Sequence, residues 1–230
     1  MKTPQQLLPE LYEVVRRAHK KARMQQGHGF DSHVNRVAAV AGKCAELQWR
    51  KMTVAAGLCH SADRLLAKKM KLPSRREVPV EYVENLLWEW LKATNFTAGD
   101  KSIIVQAVLR HERPNNLADH PVQIALQDGD RVVNAALDVI IRSGQFRHKL
   151  PVIDMELLLD DQRGKYNSRL TVVADLVDCL DWDSPGGPFG CRTKVGQRMI
   201  KGRVAELRRV LLKYIDQLKQ EGVVDKCRYS

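Results

Sequence analysis

GFDSHVNRVAAVAGKCA, residues 29–45, places Val34, Val37, Ala38, Ala41 and Ala45 at intervals of three and four. This spacing matches the α-helical repeat, so it predicts an amphipathic helix with one buried stripe, entered through an N-cap at Asp31 or Ser32. His33 lies on the face of Val37, Val40 and Cys44, which aims an imidazole at the interior. The same period runs through the rest of the chain. Leu8, Leu11, Val14, Val15 and Ala18 form one stripe. Thr53 is placed to cap a helix through Val54, Ala55, Leu58 and Leu65, and Pro79 to open one carrying Val83, Leu86, Leu87 and Trp90. Thr97 followed by Asp100 has the spacing of a capping box before Ile104, Ala107 and Val108. Pro121 to about Ser143 reads as one long buried helix. Two more helices are expected through Leu170, Val173, Leu176, Val177 and Leu180, and through Val204, Leu207, Val210, Leu211, Ile215 and Leu218, on either side of the loop SPGGPFG at 184–190. No strand-period run or internal repeat competes, so the expected fold class is all-α, a compact multi-helix bundle.

Composition sets the outer limits. The chain has 230 residues, 44% apolar and 28% charged, which is enough to bury a core without staples and too hydrophobic for disorder. One domain over 1–230 is the expectation, with a motif-bearing core at about 25–145 and C-terminal helices at about 154–222. The opening MKTPQQLLPELYEVV has no apolar h-region and no stretch approaches membrane-span length, so a cytoplasmic protein that avoids membranes is expected. Five cysteines lack CxxC pairing and read as reduced core residues. A net charge of +11 points to anionic partners, phosphorylated small molecules or nucleic acid. The basic residues are scattered without interleaved aromatics, and there is no helix-turn-helix signature, phosphate loop or zinc-finger spacing.

Chemistry is expected where polar residues interrupt apolar stripes. His60 follows the run VAAGLC, and His111 completes the stripe of Ile104, Ala107 and Val108. On the long helix Asp130 lies among Leu126, Val133 and Leu137, while Asp128 is equally inward beside Ile124, Val132 and Ala135; periodicity leaves both open. A buried aspartate needs a cation or several donors. Imidazoles and carboxylates converging from separate helices suit a divalent ion such as Zn²⁺, Mn²⁺, Fe²⁺, Co²⁺, Ni²⁺ or Mg²⁺.

Four stretches in order, GFDSHVNRVAAVA (29–41), VAAGLCHSADRLL (54–66), IIVQAVLRHERPNN (103–116) and IALQDGDRVVNAALD (124–138), resemble the HD superfamily of metal-dependent phosphohydrolases. The likeness is to its small stand-alone bacterial members and continues through KYNSRLTVVADLVDCL (165–180) and RTKVGQRMIKGRVAELRRVLLKYIDQL (192–218). The resemblance implies metal ligands at His33, His60 and Asp130, with His111 on the pocket side meeting a phosphate or a second ion. Ser61 stands where the family has the aspartate of its His-Asp pair, and a hydroxyl is a poorer ligand than a carboxylate. Asp63 is two positions on, about 200° around a helix, and so is placed to compensate only if the helix is distorted. The implied activity is hydrolysis of a nucleotide or other small phosphoester, with Arg64, His111 and Asp63 as catalytic candidates and Arg36 and Arg64 near the pocket rim. Two other readings stand beside it: a degenerate HD domain that binds a nucleotide or protein partner without hydrolysis, and a basic nucleic-acid-binding protein.

Overall fold

The computed structural model describes residues 2–24, 28–156, 158 and 170–224. Among these the regular elements are helices, with no strand. They are α1 (Pro4–Leu7), α2 (Pro9–Lys21), α3 (Asn35–Cys44), α4 (Arg50–Cys59), α5 (Ala62–Met70), α6 (Val80–Leu91), α7 (Ala98–Arg110), α8 (Pro121–Asn134), α9 (Val139–Phe146), α10 (Val172–Val177) and α11 (Lys194–Gln220). The Thr97/Asp100 capping box forms as expected, and His120, Thr171 and Thr193 accept the first free amides of α8, α10 and α11. The expectation of an all-helical fold is met.

α3 is the central element, packed between α4 and α8. Small residues permit the approach. A Cβ on Gly57 would lie 2.5 Å from the Ala38 Cα, and one on Gly129 would lie 2.6 Å from the Ala41 Cβ. The main core gathers α2 to α8 with the first half of α11, and a smaller cluster of Val139, Val173, Leu176, Leu207 and Leu211 joins α9 and α10 to its second half. No helix of the described residues is long and apolar enough to cross a membrane.

Several boundaries differ from expectation, each for a local reason. Asp31 and Ser32 do not cap α3, because a π-helical turn at Phe30–Val34 precedes it and the amides of His33 and Val34 both bond to the Gly29 carbonyl. Thr53 lies inside α4 and its hydroxyl donates to the Trp49 carbonyl, so the helix begins three residues earlier, at Arg50. The helix expected from Val54 to Leu65 breaks at His60 and Ser61, where Ser61 leaves helical geometry at ψ 19°. Pro79 is the residue before α6 rather than its first. The long helix expected to Ser143 ends at Asn134, and α9 restarts after Asp138, whose carboxylate is engaged by Arg36 and Arg142. Leu170 is 43% exposed and outside α10, and Leu180 sits in a 3₁₀ turn at Asp178–Asp183. Of the segment expected to begin the C-terminal helices, residues 159–169 lie outside the described residues.

Candidate metal centre and cleft

Two helical breaks and one continuous helix bring the polar residues together. The π turn before α3 carries His33, the end of α4 carries His60, and the middle of α8 carries Asp130. His60 Nδ1–H donates to the Gly57 carbonyl at 2.7 Å, which leaves its Nε2 as a lone-pair donor facing His33 Nε2 at 3.0 Å. Asp130 Oδ1 lies 3.4 Å from His33 Nε2 and 3.9 Å from His60 Nε2. Ligand atoms that share an ion at about 2.1 Å stand roughly 2.9 Å apart at octahedral and 3.4 Å at tetrahedral angles, so the cluster could hold a divalent metal ion. Burial pushes the His60 imidazole down to about 4 against the pull of the Asp130 carboxylate, and burial, with His60 and His28 adding, holds His33 well below its ordinary value. Both rings are therefore neutral near pH 7, the form that ligates metal.

Asp128 and Asp130 both point inward, to different partners. Asp128 is fully buried and accepts the backbone amides of Arg192, at 3.0 Å, and Thr193, at 2.7 Å, which ties the start of α11 to α8. The two aspartates that periodicity leaves equivalent thus divide into a structural clasp and a residue of the candidate site.

Ser61 is 1% exposed and its hydroxyl donates to His60 Nε2 at 3.2 Å, at the edge of the cluster. Asp63 does not compensate for it. Its carboxylate accepts the Arg75 guanidinium at 2.9 Å and the Arg64 amide at 2.7 Å, and it does not join the group that His33, His60 and Asp130 form. Among the catalytic candidates, His111 stands at the end of α7 with its ring 5.5 Å edge-on from His60 and Nδ1–H bonded to the Val108 carbonyl. Arg64 lines the cleft beneath which the cluster lies, 3.7 Å from Glu112. Arg36, expected at the rim, is instead held in a two-pronged pair with Asp138 at 2.6 and 3.0 Å and does not line the cleft.

The cleft has a volume of about 650 Å³ and is lined by seven lysine and arginine side chains against four carboxylates. Sequence reasoning missed several of its residues. His28 lines it with its ring 4.9 Å from His33, and Phe146, Arg142 and Arg147 from α9 and its end form another wall. The signal for His28 was weak, since GHGF has no apolar stripe to interrupt. The loop at 184–190 is held over the cleft by Asn115, whose amide donates to the Gly187 and Gly190 carbonyls, and by Arg131, which bonds both Asn115 and Gly190.

No family model matches the chain, and no curated protein matches it. Among solved structures it resembles a Lactobacillus plantarum protein, a structural-genomics target, with a TM-score of 0.63 over 95% of this chain and 98% of that one. The two share a fold. At 18% identity the likeness carries no more than that, but it extends over nearly the whole of both chains.

Proposed function

We propose that the protein is a metal-dependent phosphohydrolase of the HD type, acting on a nucleotide or other small phosphoester. The observation that carries this reading is the meeting of His33 Nε2, His60 Nε2 and Asp130 Oδ1 beside a cleft dominated by guanidinium groups. A divalent ion held there supplies Lewis acidity and lowers the pKa of water toward neutrality. The chain's own residues do the rest. Arg64 and the other cleft arginines bind and orient the phosphate by charge-assisted hydrogen bonds. His111 Nε2, left with a lone pair by the Nδ1–H bond to Val108, accepts a proton or contacts the ester. The loop held by Asn115 and Arg131 brings Phe189 to the cleft wall.

A second reading is favoured by one specific observation: Ser61 supplies a hydroxyl where the family places a carboxylate, and Asp63 is committed to Arg75. Such a domain would bind a phosphorylated ligand and release it unchanged. Titration with Mn²⁺ and Co²⁺, run beside a phosphoester turnover screen on the wild type and His33→Ala, tests both. The hydrolase reading expects weak, His33-dependent metal binding and slow, metal-dependent turnover; phosphate-ligand binding with no turnover under any ion selects the binding module. Metal affinity indifferent to His33, His60 and Asp130 removes the site.

A further inference from the structure

We propose that His28, Arg147 and Phe146 form an anion subsite beside the His33, His60 and Asp130 cluster, which takes a second phosphoryl group of an oligophosphate ligand without needing a metal. Two buried nitrogens on the cleft wall have no hydrogen-bond partner among the described residues, His28 Nδ1 and Arg147 Nε. Both side chains lie close to one ring, Phe146. The His28 imidazole meets Phe146 edge-on at 5.4 Å, and the Arg147 guanidinium lies over the same ring at 5.2 Å, with that of Arg64 at 5.9 Å. Since guanidinium groups lie over the Phe146 ring, the ring serves to hold cations in place rather than to stack a base.

Buried donors left without a partner are uncommon in folded proteins and mark places where a ligand or water completes the bonding. Arg147 Nε–H and His28 Nδ1, in the tautomer that carries its proton there, belong to side chains that line one cleft and suit an oxyanion, and the surplus of cations over carboxylates in the cleft suits one with several charges. Arg147 Nη2 is anchored to Asp175 at 3.0 Å, which fixes the guanidinium and leaves its buried Nε without a partner. The His28 ring is 4.9 Å from the His33 ring, which puts the subsite next to the cluster. The inference rests on the phosphoester reading for the position of the first phosphate; the second subsite stands on its own contacts.

The test is calorimetric titration of inorganic pyrophosphate into the full chain in EDTA. Wild type is expected to bind pyrophosphate more tightly than orthophosphate, His28→Ala and Arg147→Ala to weaken it about tenfold each, a loss of about 1.4 kcal/mol, and Lys194→Ala, exposed on α11, to change it less than about twofold. In wild type labelled with ¹⁵N-histidine, the His28 ring nitrogens should shift on adding pyrophosphate, a readout that does not depend on any variant folding. No binding to the wild type, or equal affinity in wild type and both variants with an unmoved His28 signal, overturns the subsite. Because the titration is metal-free, its result is separable from the metal reading: pyrophosphate binding with no metal affinity at the cluster removes only the hydrolase, and the reverse removes only the subsite.

Discussion

At Ser61 a 1%-exposed hydroxyl stands 3.2 Å from His60 Nε2, so a carboxylate placed there would reach the ion that His33, His60 and Asp130 could share. Ser61→Asp is expected to tighten Mn²⁺ or Co²⁺ binding by about tenfold or more, and to lower the melting temperature of the metal-free protein, because an uncompensated carboxylate is costly in a buried site. Calorimetric titration and melting with and without metal check both; a wild type that purifies with stoichiometric metal, or a variant with unchanged affinity, contradicts it. Glu112 carries a pH signature of its own. Burial pushes its carboxyl up, but His111, Arg75 and Arg64 outweigh burial and bring it down to about 2, against an ordinary value of 4.5. A carboxylate lowered on folding contributes stability that is complete above about 4.5 and is lost as pH falls toward 2. Urea midpoints of the wild type should therefore exceed those of Glu112→Gln at pH 6 and converge with them near pH 2. A gap that persists at pH 2 would assign the effect to packing instead.

The helices meet closely where glycine allows it, and those contacts hold the His33, His60 and Asp130 group in register. Gly57 is three residues before His60 and lies against the Ala38 backbone, so Gly57→Ala must push α4 away from α3 and with it His60 from His33. The expected cost is about 1–3 kcal/mol, with metal affinity falling in parallel. Gly202, in the middle of α11, has nothing within 4 Å of its added Cβ, and Gly202→Ala should stabilise by up to about 1 kcal/mol through helix propensity alone. Chemical denaturation of the two variants checks the contrast, and a destabilised Gly202→Ala would show that α11 packs more tightly than its surroundings indicate. The helix breaks matter as much as the helices. The π turn before α3 and the step from α4 to α5 at Ser61 lie at the two histidines, whose Nε2 atoms meet at 3.0 Å.

Across the whole molecule, the QDGD segment at 127–130 splits two tasks between alternate aspartates. Asp128 clasps the start of α11 through the Arg192 and Thr193 amides, and Asp130 faces the cleft. Asp128→Asn is expected to destabilise by about 1–2 kcal/mol and to speed hydrogen exchange in the first turn of α11 while leaving metal affinity within a few-fold; Asp130→Asn should do the opposite. Exchange mass spectrometry and metal titration on the pair test this, and interchanged phenotypes would reverse the assignment. The apolar spacing of Val34, Val37, Ala38 and Ala41, the capping box at Thr97 and the loop at 184–190 were legible because helix period, caps and glycine-rich turns are local physics. The histidines and the aspartate were legible as interruptions of apolar stripes, since each must find a partner in the interior. What the spacing left open was decided by contacts between distant segments. Whether Asp128 or Asp130 meets the histidines depends on where α11 docks, the release of Asp63 from the cluster depends on Arg75, and the diversion of Arg36 depends on Asp138. His28 and Phe146, more than a hundred residues apart in sequence, meet at the cleft wall only in the folded chain. A sequence specifies which faces must be buried, and only packing in three dimensions selects which buried polar groups meet.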